Sequence, residues 1–155
     1  MEKINQLKKL IYNHNLDGYI VPKNDEFFGE YIPDNKDKLK FISGFSGSYG
    51  FALILKNKNY LFVDGRYTQQ AKMQTRKKFE IITIPEKFPF NILKKKKLNI
   101  GYDPKLHTKK NLNIFFNKTS CKLIPIQQNL IDKLWKIKNR ENLKKFYVLP
   151  KTSVG

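Results

Sequence analysis

Two apolar, β-prone runs, GFALILK (50–56) and YLFVD (60–64), stand on either side of the short polar link NKN. Runs this short, joined this tightly, read as a β-hairpin. That commits the middle of the chain to an antiparallel strand pair, and the flanking segments alternate around it. Ile4, Leu7, Leu10 and Ile11 recur at helical spacing, which predicts an amphipathic helix over 3–14. GYIVP (18–22) reads as a buried strand ended by proline. The polar stretch Lys23–Asp37 is expected to be a loop with a helical turn, and DKLKFIS (37–43) a short helix stopping at Gly44.

The alternation continues beyond the hairpin. RYTQQAKMQTRKK (66–78) carries Tyr67, Ala71 and Met73 at rough helical spacing, and FEIITIP (79–85) is a strand closed by Pro85. FPFNIL (88–93) is expected to be a short helix or irregular segment, and LNIGYD (98–103) a strand. PKLHTKKNLNIFFNK (104–118) reads as a helix with Pro104 near its first turn. CKLIPI (121–126) is a strand, and NLIDKLWKIK (129–138) a helix with Leu130, Ile131, Leu134 and Trp135 on one side. The pattern predicts one α/β domain over 1–138, a mixed β-sheet flanked by helices. Residues 139–155 lose periodicity and read as a tail or linker. The expected core includes Tyr19, Ile20, Val21, Leu53, Ile54, Leu61, Phe62, Ile81 and Ile100.

A chain of 155 residues suits one ordinary domain with a real core. Its apolar runs are too short to span a bilayer, and the N-terminus lacks the features of a secretory signal. Cys121 stands alone, so no internal disulfide can form. These features favour the cytoplasm. The formal net charge is +18, from 31 Lys+Arg against 13 Asp+Glu. Such a balance suggests a polyanion, but the only arginines are Arg66, Arg76 and Arg140. Lysine is a solvated point charge, whereas arginine suits bidentate phosphate recognition. The lysines are spread along the whole chain, so a solvated basic surface with no specific nucleic-acid partner is expected. The run Lys94–Lys97 reads as a solvated loop.

Most catalytic frames are missing. A binuclear metal hydrolase needs several carboxylates and at least one histidine converging on the ions. Only His14 and His107 exist, and neither sits in a ligand frame. The carboxylates Asp25, Glu26, Glu30, Asp34 and Asp37 lack the order of a calcium loop and read as solvated partners of nearby lysines. GFSGS starts like a serine-nucleophile elbow, yet Ser48 stands where the closing glycine belongs. Cys121 is expected to be a buried structural thiol.

VDGRY is more suggestive. Asp64 ends a strand and can cap the next helix, while Gly65 is expected to permit a tight turn. Arg66 then falls at the carboxyl end of a strand, the usual ligand side of an α/β sheet. A cation is locally unfavourable at a helix N-terminus. Spacing alone leaves two roles open for Arg66: binding a carboxylate or carbonyl, or pairing locally with Asp64.

LDGYIVPKNDEFFGEYIP, FISGFSGSYGFALI, FVDGRYTQQA and NLIDKLWKIKNR occur in that order. The set resembles the N-terminal, creatinase-like domain of Xaa-Pro aminopeptidases of the cytosolic aminopeptidase P type, from about Leu7 to Arg140. The resemblance implies an α/β mixed sheet that helps shape a cleft for peptides with proline in second place. It implies an enzyme that removes the residue before that proline with two metal ions, usually Mn²⁺. Their two Asp, one His and two Glu ligands belong to a C-terminal domain of pita-bread fold, with further histidines serving the transition state. This chain holds no match to that domain. No cofactor is therefore expected in it, and the metallo-aminopeptidase activity is not expected of it alone. Arg66 matches the arginine that contacts peptide substrate in the family. The expected partners are the peptide, a missing or separately encoded catalytic domain, and a second copy in a homodimer; no membrane is expected. A fragment, a split-gene product and a gene remnant are all compatible with the length. The alternatives are a stand-alone interaction module that pairs with a separate catalytic chain, and a basic nucleic-acid-binding domain.

Overall fold

The computed structural model describes residues 2–24, 32–140 and 143. The predicted hairpin is present, with β2 (Gly50–Leu55) antiparallel to β3 (Asn59–Asp64). Four more strands join it: β1 (Gly18–Pro22), β4 (Glu80–Ile84), β5 (Asn99–Tyr102) and β6 (Lys122–Pro125). Among the described residues they form one six-stranded sheet in the order β4-β3-β2-β1-β5-β6. Strand β2 runs antiparallel to both neighbours, and every other pairing is parallel. The fold is the expected mixed sheet flanked by helices.

Strand β1 is buried along its whole length because helices cover both faces of the sheet. That is why GYIV is a continuous apolar run rather than an alternating one. Alternation decides which face each side chain serves. Tyr19 and Val21 join Ala52, Ile54, Leu61 and Val63 under α1 (Glu2–Asn13), α2 (Lys38–Ser43), α3 (Thr68–Thr75) and a final helix α6 over 130–140. Ile20, Leu53, Phe62 and Ile100 face the other way, against Leu93 after α4 (Pro89–Ile92) and Leu112 and Phe116 of α5 (Lys109–Phe116). Every residue of the expected core is buried except Ile81, which is half-buried because β4 is a sheet edge.

Several local expectations need correction. Helix α5 starts at Lys109, where Thr108 accepts a hydrogen bond from the Asn111 N–H (3.1 Å). Pro104 lies outside it, in a turn closed by the Leu106 N–H on Asp103 O (3.1 Å) and the Lys105 N–H on Asp103 Oδ1 (2.9 Å). Asp103 thus stops the helix from starting early. Cys121 is half-buried just before β6, and its thiol donates to Lys96 O. Asp37 is not solvated: it caps α2 and pairs with Lys23, the two side chains being only 5% and 12% exposed. Asp34 does pair at the surface, with Lys40. Asp25, Glu26 and Glu30, with most of the segment 139–155, lie outside the described residues. Lys94–Lys97 are exposed in a turn, as expected.

Candidate functional site

The parallel strands β1, β3, β4, β5 and β6 end along one edge of the sheet, beside the start of antiparallel β2. Loops at this carboxyl edge are where α/β sheets present ligand contacts. Two of the quoted sequence segments meet there.

The first is SGFSGSYG. Helix α2 ends at Gly44, whose φ of +83° is the left-handed conformation that closes a helix. Ser43 Oγ donates to Leu39 O (2.6 Å) and accepts from the Phe45 N–H (3.1 Å), fixing the exit of the chain. Phe45 then plugs fully into the core. The turn folds back over its ring so closely that a Cβ on Gly47 would lie 2.2 Å from Phe45 Cζ. Gly47→Ala should therefore overpack this corner and cost about 1–3 kcal/mol. Urea unfolding checks it, and adding Phe45→Leu to the alanine variant should return part of the loss.

The second is DGRY. Asp64 Oδ1 accepts from the Arg66 N–H (2.9 Å) and caps a 3₁₀ turn over Gly65–Tyr67. Arg66 therefore lies in this turn and not in α3, which starts at Thr68. The cap supplies negative charge where the arginine would otherwise face the helix dipole alone. Gly65 has no positive φ, and a Cβ there would meet only Thr83 Cγ2 at 3.6 Å, so the turn does not depend on glycine's freedom.

The segments interlock. The Ser46 N–H donates to Gln74 Oε1 (2.9 Å). Ser46 Oγ accepts from Gln74 Nε2 (2.8 Å) and Gln70 Nε2 (3.1 Å). Ser48 Oγ shares a hydrogen bond with the Tyr67 hydroxyl. Tyr67 also meets Phe45 edge-on, with ring centroids 6.0 Å apart. Arg66 Nε donates to Asp64 Oδ1 (3.2 Å), and the two side chains are 73% and 41% exposed. The local pair that spacing left open for Arg66 exists, and at such exposure it adds little to stability. The Arg66 backbone and side-chain donors hold the Asp64 carboxyl below its usual value. Among the described residues no hydrogen bond or ion pair engages the two terminal nitrogens of Arg66. Partial burial, with Asp64's charge, pushes the neighbouring Tyr49 phenol up.

A second polar group sits farther along the same edge. Asn129 caps α6 through Oδ1 to the Ile131 N–H (2.8 Å), while its Nδ2 donates to Asp103 Oδ2 (2.8 Å). His107 stands beside it, edge-on to Tyr102, and lines a cavity of about 60 Å³ together with Lys23, Ser48, Tyr49 and Phe115. Its Nε2 is buried without a hydrogen-bond partner among the described residues. Burial pushes the imidazole down from 6.5 to about 4, against a smaller opposing pull from Asp103. Between those values the unfolded chain binds a proton that the folded chain refuses, so stability falls as pH drops through that window. The loss should approach about 3 kcal/mol at most. Urea midpoints across the window check it. His107→Gln should flatten the wild-type slope, and an unchanged slope would remove His107 as its source.

The remaining sequence candidates are not brought into a reactive array. Ser46 is tied to two glutamines, and among the described residues no hydrogen bond joins it to a histidine. His14 Nδ1 bonds Leu10 O and its Nε2 faces Lys133 Nζ. Among the described residues no group of three or more His, Cys, Asp or Glu could hold a metal ion. These residues do not fit the dinuclear centre that the resemblance implies for the whole enzyme. Nor is any helix among them long and apolar enough to cross a membrane. Sequence assigns no site role to Ser48, Tyr67, Gln70 or Gln74. The i,i+4 spacing of Gln70 and Gln74 was the available signal, but their partner Ser46 lies 28 residues from Gln74.

Comparisons with known proteins bear on the family and the fold. The probable Xaa-Pro aminopeptidase P of Aspergillus flavus is 35% identical over 144 residues, which cover 86% of this chain and 22% of that protein. The corresponding protein of Laccaria bicolor is 31% identical over 143 residues, with the same coverage. The chain thus spans less than a quarter of the length of the curated relatives it matches. Among solved structures, the X-prolyl aminopeptidase of Caenorhabditis elegans, described as cytosolic with a di-nuclear active site, superposes with a TM-score of 0.77 at 25% identity. That match covers 87% of this chain and 25% of the nematode enzyme. The N-terminal domain of the cytoplasmic peptidase PepQ from Mycobacterium tuberculosis shares the fold, with a TM-score of 0.67 at 20% identity, over 86% of this chain and 98% of that one. The sequence profile of the creatinase/prolidase N-terminal domain matches residues 3–134. The chain belongs to the creatinase/prolidase N-terminal domain family.

Proposed function

We propose that this chain is the N-terminal, substrate-cleft domain of a cytoplasmic Xaa-Pro aminopeptidase and is inactive without a metal-binding catalytic domain. The observation that carries the reading is Arg66. It stands just past the carboxyl end of β3, exposed, with no hydrogen bond or ion pair on its terminal guanidinium nitrogens among the described residues. A guanidinium so placed can donate charge-assisted hydrogen bonds to a peptide carbonyl or carboxylate. The chain's part is to bind and orient the peptide. Activating water and stabilising the transition state fall to the metal domain, in the same polypeptide or a separate one.

The test compares the 155-residue chain alone, supplied with Mn²⁺, with a chimera in which it replaces the matched N-terminal segment of the Aspergillus flavus protein. The expected result is no release of the residue before proline by the chain alone and clear release by the chimera. Turnover by the chain alone, or a folded, metal-loaded chimera that hydrolyses nothing, would contradict the proposal.

A further inference from the structure

Among the described residues the Arg66 side chain makes one hydrogen bond, from Nε to Asp64. A long exposed side chain with one tether samples many rotamers, and ordering it on binding weakens affinity. Tyr67 supplies a second restraint. The guanidinium carbon lies 5.3 Å from the centroid of the Tyr67 ring, within the range of a cation–π contact. Tyr67 is itself fixed from two directions: its hydroxyl is bonded to Ser48, and its ring packs against buried Phe45. Ser48 belongs to the turn that Gln70 and Gln74 bind to α3 through Ser46.

We infer that Tyr67 is a positioning residue for Arg66, and that the SGFSGS turn buttresses it through the Ser48–Tyr67 hydrogen bond. The inference rests on the proposed peptide-binding role of Arg66 and extends it. The arginine's aim would be set by a ring that does not touch substrate. The turn is then part of the binding apparatus without holding a nucleophile.

Steady-state kinetics of the chimera on an Xaa-Pro peptide test this, using Tyr67→Leu, Tyr67→Phe, Ser48→Ala and Arg66→Ala, with melting temperatures measured alongside. Losing an exposed cation–π contact should raise KM about two- to fivefold in Tyr67→Leu, with kcat unchanged. In the Arg66→Ala background the same substitution should change KM no further, because its effect passes through the arginine. Tyr67→Phe and Ser48→Ala each remove the hydroxyl bond, so each should raise KM about twofold and together no more than either alone.

A purely structural role for Tyr67 would lower the melting temperature and the active fraction and leave KM alone; that result overturns the inference. So does a Tyr67→Leu effect that persists undiminished without Arg66. If Tyr67→Leu does not fold, Tyr67→Phe and Ser48→Ala decide, and an unchanged KM in both overturns it. The two failures are distinguishable. An Arg66→Ala chimera with unaltered kinetics defeats the proposed function, whereas a crippled Arg66→Ala with an indifferent Tyr67 defeats only this inference.

Discussion

Arg66→Ala in the two-domain chimera should lower kcat/KM for an Xaa-Pro peptide about 10- to 150-fold. A charge-assisted hydrogen bond lost from a bound substrate costs roughly 1.5–3 kcal/mol, and about 1.36 kcal/mol is a factor of ten. Stability should hardly move, because the side chain is 73% exposed and its ion pair with Asp64 lies at the surface. Arg66→Lys should recover only part of the loss, since an ammonium lacks the planar fork. Unchanged kinetics with a lowered melting temperature would assign Arg66 to the fold.

The largest effect on stability is expected at Asp37. Its carboxylate is buried against the Lys23 ammonium and also caps α2, accepting from the Lys40 N–H (3.1 Å). Asp37→Ala strands a buried cation, and breaking such a pair costs about 3–5 kcal/mol. Replacing both partners, as Lys23→Met with Asp37→Ala, leaves no unpaired charge and should cost less than Asp37→Ala alone. Urea unfolding of the three variants measures the difference. A double variant no more stable than the single would show that the loss comes from the helix cap and not from the stranded lysine.

Periodicity carried the architecture because local pattern and tertiary burial agree in this chain. The hairpin, the doubly buried β1 and the apolar stripe of α6 each arise from residues close in sequence. Misreadings arose where a polar side chain made a distant or unexpected bond. Pro104 looked like a helix start, but Asp103 holds it in a turn, and the cap falls to Thr108. Asp37 looked like one solvated carboxylate among several, and only the position of Lys23 at the end of β1 shows it buried. At the edge of the sheet the Asp64 cap was legible because it acts two residues away. The Ser46–Gln74 and Ser48–Tyr67 bonds were not, because they exist only once α3 has packed beside the glycine-rich turn. The close approach of Gly47 to Phe45 likewise explains a glycine that sequence could assign only to a turn.

The most direct measurement is a crystal structure of the chimera with a non-hydrolysable Xaa-Pro peptide analogue bound. The expected result is a peptide seated against the carboxyl edge of the sheet, with a terminal nitrogen of Arg66 about 2.7–3.2 Å from a peptide oxygen. A peptide bound at the metals with Arg66 still turned onto Asp64, and no protein atom of this domain within hydrogen-bonding distance of it, would contradict the assignment of this domain to the substrate cleft.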